Sequence, residues 1–196
     1  MTMMKIKEAA LRLFAQKGYE AAPLSEIAKE VGIKTPSLYA HFRSKEDLYL
    51  AVFEDVLQEH LGRVAALEQL INGMDVHEKL YTILKDSCQT YLLSEDSVTF
   101  LKRAMLFPPE PLQRELQGRF PVSENALSAV LRTIFEEGMQ QGVIRRMNTD
   151  ELMASYYCLL DGTFIQKHYY NHNDFERRIQ SIWRLYWQGI IVQHHE

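Results

Sequence analysis

Hydrophobic residues recur at spacings of three and four along most of this 196-residue chain, which is the period of an amphipathic α-helix. The first such stretch covers residues 2–17, and Gly18 follows it as a helix stop. Its apolar face consists of Ile6, Ala9, Ala10, Leu13 and Phe14. No run alternates with the two-residue period of a β-strand, so the pattern predicts an all-α protein.

Two short helices are predicted after the first one, over residues 24–31 and 35–41. Gly32 ends the earlier helix, because glycine readily adopts the left-handed conformation of a tight turn. The later helix is expected to have Thr35 as its N-cap and Pro36 at its first helical position. Two short helices joined in this way form a helix-turn-helix.

A longer helix is predicted to start after Ser44, since a hydroxyl there is followed three residues later by the carboxylate of Asp47. It should run to about Leu70 and join the two parts of the chain. The predicted domains are therefore residues 1–47 and 48–196. Later helices are expected over about 76–93, 97–106, 121–141, 149–169 and 173–191.

The helix-turn-helix separates residues that pack inward from residues that face outward. Leu38 and Phe42 lie four residues apart on one helix face, and Ala28 is small enough for a close crossing. This assignment leaves one outward set: Thr35, Ser37, Tyr39, Ala40 and His41. Hydroxyl and imidazole groups suit contacts with phosphates and base edges in the major groove of DNA.

Charge is distributed unevenly along the chain. The whole sequence carries a net charge of −4, but residues 1–47 contain eight Lys and Arg against six acidic residues. A positive end on an acidic body can approach the phosphate backbone of DNA.

Cysteine content and hydropathy bear on location. The two cysteines, Cys88 and Cys158, are far apart and outside any metal-ligand spacing, as expected in a reducing cytosol. No stretch approaches the about 18 consecutive apolar residues of a membrane span, and no secretion signal is recognisable near the N-terminus. A cytoplasmic protein without a membrane partner is predicted.

Residues 24–48 resemble the DNA-binding region of the TetR family of repressors. That family has an Ile-Ala pair, a Gly-Val/Ile turn, a Leu-Tyr-x-x-Phe recognition helix and a Lys at the start of the next helix. The matching residues here are Ile27-Ala28, Gly32-Ile33, Leu38-Tyr39-Ala40-His41-Phe42 and Lys45. The resemblance implies an N-terminal three-helix helix-turn-helix domain and a larger C-terminal helical domain for ligand binding and dimerisation.

The resemblance also implies a set of DNA-facing residues. Carried over by position, they are Ser25, Thr35, Pro36, Ser37, Tyr39, His41 and Lys45. Lys34 adds a positive charge where the family often has Ser. In the family, the position of Tyr39 contacts phosphate and that of Lys45 lies near the DNA backbone. Pro23 and Leu24 depart from the pattern, because the family commonly has Thr or Ser there.

The predicted function is a ligand-responsive transcriptional repressor that binds double-stranded operator DNA as a homodimer. The last two predicted helices would form the dimer, since the final one has two apolar stripes. A small, largely apolar effector would release the DNA. Its candidate contacts are Tyr81, Tyr91, Phe100, Met105, Phe107, Tyr157, Phe164 and Trp183.

No cofactor or metal is predicted. His168 and His172 have a spacing that can hold a metal on one helix face, but no third ligand accompanies them. An enzyme is not expected either, because the sequence has no Gly-rich phosphate loop and no nucleophile motif. The alternative is a helical interaction protein that has lost specific DNA binding; the presence of Lys34, Tyr39 and Lys45 argues against it.

Overall fold

The computed structural model describes the backbone of residues 2–93 and 95–193, and the side chains of these residues other than 89–93, 122 and 123. The helices within these ranges are α1 (Thr2–Lys17), α2 (Leu24–Val31), α3 (Thr35–Leu38), α4 (Lys45–Leu70), α5 (Val76–Leu93), α6 (Glu95–Leu106), α7 (Gln113–Gln140), α8 (Thr149–Tyr169) and α9 (His172–Ile190). A 3-10 turn, Glu110–Leu112, precedes α7. The predicted all-α fold is confirmed.

Helix α7 differs most from its prediction. It begins at Gln113, and Pro121 lies inside it rather than near its start. Proline lacks an amide hydrogen and is usual in the first turn of a helix, so Pro121 inside α7 leaves one backbone hydrogen bond unmade. Leu116 is fully buried on the first turns of α7, so the packing of this earlier segment outweighs the hydrogen bond that proline cannot make.

The chain divides into two compact units. Unit 1 comprises Met1–Arg63 and Ser94–Glu124, and unit 2 comprises Val64–Leu93 and Asn125–Glu196. Unit 1 therefore contains α6 and most of α4 in addition to the helix-turn-helix, because α6 packs against α1. The functional division at residues 47 and 48 stays a prediction.

An aromatic core holds unit 1 together. The apolar face predicted for α1 is buried, and Phe14 at its end is only 1% exposed. The ring of Tyr49 on α4 lies with its centroid 5.0 Å from that of Phe14 and 4.9 Å from that of Phe100 on α6. Three helices that are distant in sequence thus share one buried cluster, to which Ile27 and Ala28 of α2 also belong.

Unit 2 is built around α5, α8 and α9. The hydroxyl of the fully buried Tyr156 on α8 donates a 2.6 Å hydrogen bond to the backbone oxygen of Leu80 on α5. Burial raises the pKa of Tyr156 well above its ordinary value, so this hydroxyl remains a donor. After α9, an isolated antiparallel bridge pairs Ile144 with Ile191, which ties the end of that helix to the loop between α7 and α8.

Candidate nucleic-acid interface

Helix α2 starts without a side-chain cap. Its N-cap is Pro23, whose backbone is extended and whose side chain accepts no hydrogen bond. The amide of Glu26 donates instead to the backbone oxygen of Pro23 at 3.0 Å. The Glu26 carboxylate in the first turn pairs with Lys17, and a negative charge is favourable at this end of a helix. The departure at Pro23 thus removes a capping hydroxyl.

The turn between α2 and α3 has the predicted left-handed glycine. Gly32 has φ 78° and ψ 28°, and the amide of Ile33 donates to the oxygen of Ala28 at 2.9 Å. This back-bonding pattern satisfies carbonyls at the end of a helix. A side chain with a β-carbon would strain the backbone at position 32.

Helix α3 is shorter than predicted and starts on a different cap. Lys34 is the N-cap, not Thr35, because the oxygen of Lys34 accepts the first bond, from the amide of Ser37 at 2.9 Å. The helix ends at Leu38 rather than at residue 41, and the next residues form a turn closed by a 3.1 Å bond from the amide of Phe42 to the oxygen of Leu38.

The buried side chains of Leu38 and Phe42 anchor this segment, as their spacing predicts; they are 0% and 5% exposed. The predicted DNA-facing residues lie around that anchor, on α2, on α3 and its flanking turns, and at the start of α4. The exposed ones are Ser25, Lys34, Pro36, Ser37, Tyr39 and His41, while Thr35 and Lys45 are half-buried. Their contacts with DNA stay a prediction.

Positive charge is available beside these residues. Lys29, Lys34 and Arg43 are exposed, and none of them pairs with a carboxylate among the residues that the structure describes. Other cations of the segment are already paired: Lys7 with Asp55, Arg12 with Glu30 and Lys17 with Glu26. Apart from Lys5, which is exposed on α1, the unpaired exposed cations of residues 1–47 therefore lie on the helix-turn-helix and its flanks.

Helix α4 begins with the predicted capping arrangement. The amide of Asp47 donates to Oγ of Ser44 at 3.2 Å. The Asp47 carboxylate accepts a 2.9 Å bond from the amide of Arg43. These two hydrogen bonds link Arg43 and Ser44 to Asp47, so they fix the segment between α3 and α4 to the first turn of α4.

A contact network holds Lys45, and sequence reasoning did not find it. The Tyr19 hydroxyl donates to Glu46 at 2.6 Å. The Lys45 ammonium lies 4.4 Å from the centroid of the Tyr19 ring and donates to the oxygen of Glu20 at 3.4 Å. These partners are more than twenty residues apart in sequence, and no local motif signals them.

The pKa of each member of the network is shifted. The hydrogen bond from Tyr19 lowers the pKa of Glu46. Burial raises the pKa of Tyr19 above its ordinary value, and burial lowers the pKa of Lys45. Glu46 thus stays ionised as the acceptor of Tyr19, while the Tyr19 ring and the oxygen of Glu20 hold Lys45 at the N-terminus of α4.

The candidate effector residues fall into both units. In unit 1, Phe100 is part of the aromatic core, whereas Met105 and Phe107 are 45% and 75% exposed. In unit 2, the rings of Tyr81 and Trp183 lie 5.4 Å apart. Tyr157 and Phe164 are half-buried on α8, and the side chain of Tyr91 lies outside the described residues. Their role as ligand contacts stays a prediction.

The two histidines considered for a metal lie on different helices. His168 is near the end of α8, where Nδ1 is 2.9 Å from the oxygen of Phe164, and His172 opens α9. Within the described ranges, no three His, Cys, Asp or Glu side chains are grouped for a metal. None of the helices described is long and apolar enough to cross a membrane.

Comparison with known proteins finds a family match that includes the helix-turn-helix and relatives that extend over more of the chain. The family model described as bacterial regulatory proteins, tetR family, matches residues 6–52. The fatty acid metabolism regulator protein of Bacillus subtilis is 28% identical over 144 residues, which are 72% of this chain and 70% of that protein. The negative transcriptional regulator IcaR of Staphylococcus aureus is 51% identical over 45 residues, only 24% of its length.

Solved structures share the fold over nearly the whole chain. The ketosteroid transcriptional regulator KstR2 of Mycobacterium tuberculosis has a TM-score of 0.73 at 20% identity and covers 98% of this chain and 96% of its own. FadR from Bacillus subtilis, in complex with stearoyl-CoA, has a TM-score of 0.69 at 24% identity and covers 95% and 98%. The arrangement of an N-terminal helix-turn-helix and further helices is thus shared.

The Tyr19 network gives a prediction on the pKa of Glu46. Tyr19→Phe removes only the hydroxyl, so the pKa of Glu46 should rise toward its ordinary value of 4.5. A lowered folded-state pKa stabilises the fold at pH values above the unfolded pKa, and this stabilisation is lost as the pH falls through the lowered value. The variant should therefore lose stability at neutral pH and converge with the wild type in acid.

The pKa is measured by an NMR titration of the Glu46 carboxyl carbon. The free energy of unfolding is measured with urea at neutral pH and at acid pH. Tyr39→Phe is the matched control, because Tyr39 is 55% exposed and has no contact with Glu46. An unchanged titration of Glu46 in Tyr19→Phe would contradict the network.

Proposed function

We propose that this chain, which belongs to the TetR family of bacterial transcriptional regulators, is a repressor that leaves its operator when a small, largely apolar molecule binds. It is a DNA-binding regulator and not an enzyme, like the relatives that it matches. Since operator DNA is its partner, its place of action is the bacterial cytoplasm. The observation that carries the proposal is the exposed polar face around α3, supported by the buried Leu38 and Phe42.

Each candidate DNA contact has a proposed role. Tyr39, with its ring 55% exposed, and Lys34 contact phosphates and set the orientation of the protein. Lys45, oriented by Tyr19, adds a third phosphate contact. The remaining residues face the groove or its edge: Ser25, Thr35, Pro36, Ser37 and His41. Repression is favoured because IcaR, 51% identical over 45 residues, is named a negative regulator.

The DNA contacts predict two different mutant phenotypes. Tyr39→Ala should weaken binding to all duplexes alike, by about 1–3 kcal/mol for a lost contact to a charged phosphate. Thr35→Ala and Ser37→Ala should instead change the preferred sequence. Gel shifts on operators selected from random duplexes measure both effects, with Arg114→Ala, an exposed cation on α7, as the control.

Full affinity in a Tyr39→Ala, Lys45→Ala double variant would contradict this assignment. If the wild type binds no duplex even at low salt, the protein is instead a helical interaction protein with the same fold.

The proposed dimer uses the uncovered faces of α8 and α9. Both apolar stripes predicted for the last helix contribute to the core of unit 2, because Phe175 and Ile179 of one stripe and Trp183 of the other are at most 5% exposed. Another apolar set remains uncovered: Ile165 is 57%, Tyr169 80% and Leu185 65% exposed. A second copy that covers this face would also present two recognition helices to a near-palindromic site.

The dimer predicts that a charge on this face separates the protomers. The wild type should sediment as a dimer at micromolar concentration, whereas Ile165→Asp with Leu185→Asp should sediment as a monomer, because two carboxylates would be buried without partners. Leu70→Asp is the control, since Leu70 is an exposed leucine (59%) on α4. The proposal would be contradicted if the wild type sediments as a monomer, or if the double variant still sediments as a dimer.

A long acyl chain is the favoured effector class. The support is the name of the 28% identical fatty acid metabolism regulator and the stearoyl-CoA in the FadR complex. In unit 2, an aromatic cluster offers apolar surface, with Tyr81 and Trp187 half-buried around Trp183. The acyl chain must favour the DNA-free form, since a ligand shifts an equilibrium only by its differential affinity.

The effector proposal is tested with fatty acids and acyl-CoA, beginning with stearoyl-CoA. Stearoyl-CoA should raise the melting temperature and weaken operator binding by about 100-fold, equivalent to about 2.7 kcal/mol of coupling. Coenzyme A without an acyl chain is the control and should leave both quantities unchanged. Operator affinity that no fatty acid or acyl-CoA alters would contradict the acyl effector and favour constitutive repression.

A further inference from the structure

An open cavity of about 450 Å³ lies within unit 1, where the end of α1, the start of α4 and the end of α6 meet. Its walls are Lys17–Glu20, Tyr49, Arg103 and Phe107–Glu110. Binding sites for small molecules commonly have volumes of roughly 300–1,000 Å³. Of the candidate DNA and effector contacts, only Phe107 lines this cavity.

Arg103 is the charged group that stands out in this cavity. Among the residues that the structure describes, no carboxylate pairs with its guanidinium and no hydrogen-bond acceptor meets it. The guanidinium lies against Gly18, where an added β-carbon would be 2.6 Å from Nη1 of Arg103. Gly18 also has a φ of 80°, so glycine both permits the turn and leaves the space that Arg103 occupies.

Tyr49 provides an independent second group. Its side chain is 97% buried, with only 3% exposed, and its ring is fixed between Phe14 and Phe100. The Tyr49 hydroxyl has no hydrogen-bond partner among the described residues. Every polar side-chain atom there that is fully shielded from solvent does have a partner. The hydroxyl therefore reaches the cavity. Burial raises the pKa of Tyr49, so the hydroxyl is a neutral donor.

Part of the cavity lining is apolar. The Phe107 ring is 75% exposed, and Pro108 and Pro109 follow it along the cavity. Two carboxylates also line the opening, Glu20 and Glu110, but neither pairs with Arg103. Lys17, the other cation of the wall, is already paired with Glu26. The hydrogen-bond donors of the cavity without an acceptor are thus Arg103 and Tyr49, and Phe107, Pro108 and Pro109 add an apolar surface.

We propose that this cavity binds a small organic anion, whose carboxylate or phosphate pairs with Arg103 and accepts a hydrogen bond from Tyr49. The guanidinium plane offers a fork of N–H donors that matches either acid group. The apolar body of the ligand lies against Phe107 and Pro108. The site lies in unit 1, whereas the acyl effector is proposed for the aromatic cluster of unit 2.

The test is an NMR titration of the full chain with benzoate, phenyl phosphate and the uncharged benzamide, following the amide of Gly18. At least one of the two anions should cause saturable shifts. Binding of benzoate would identify a carboxylate as the acid group, and binding of phenyl phosphate a phosphate. Benzamide should bind much more weakly. Arg103→Gln should raise the dissociation constant at least about tenfold, as expected for a lost charged hydrogen bond. Arg114→Gln, an exposed arginine outside the cavity, should leave it unchanged.

Tyr49→Phe keeps the aromatic core and removes only the hydroxyl, so it tests the site without a change of charge. It should weaken binding of the anion while the melting temperature stays close to that of the wild type. The proposal is overturned if neither anion saturates the Gly18 shift, or if benzamide binds as tightly as benzoate. It is also overturned if binding survives Arg103→Gln, or if it appears only in Glu20→Gln or Glu110→Gln, which would mean that Arg103 pairs with its own chain.

Discussion

The burial of three aromatic rings from three distant helices is the constraint on which the rest of unit 1 depends. Phe14, Tyr49 and Phe100 come from α1, α4 and α6, and each is at most 3% exposed. Burying such rings removes large apolar areas from water, and the tilted contacts between them add further stabilisation. Because α1 packs against both α2 and α6, this cluster fixes the support on which the helix-turn-helix rests.

The helix-turn-helix itself has little regular structure to stabilise it. Helix α3 covers only Thr35–Leu38, which is too short to be stable by its own hydrogen bonds. Its position depends on two buried side chains, Leu38 and Phe42, and on the left-handed turn at Gly32. A short segment held in this way can present most of its polar side chains to solvent, which a DNA-reading surface requires.

Tyr19 links two features of unit 1 that have separate chemistry. Its hydroxyl donates a hydrogen bond to Glu46, and its ring contacts the ammonium of Lys45 at the start of α4. The same residue lines the cavity that contains Arg103 and Tyr49. A single aromatic side chain after α1 thus contributes to the orientation of a candidate phosphate contact and to the wall of a candidate anion site.

The sequence by itself determined the features that act within a turn or two: the amphipathic period of α1, the glycine turn at 32 and the cap at Ser44. These signals are local, so they can be recognised without knowledge of the fold. Only the tertiary structure decided that α7 starts at Gln113, because the burial of its first turns outweighs the hydrogen bond that Pro121 cannot make. It alone brought Tyr19 to Lys45 and Arg103 to Tyr49, since contacts between residues distant in sequence follow from packing and leave no local pattern.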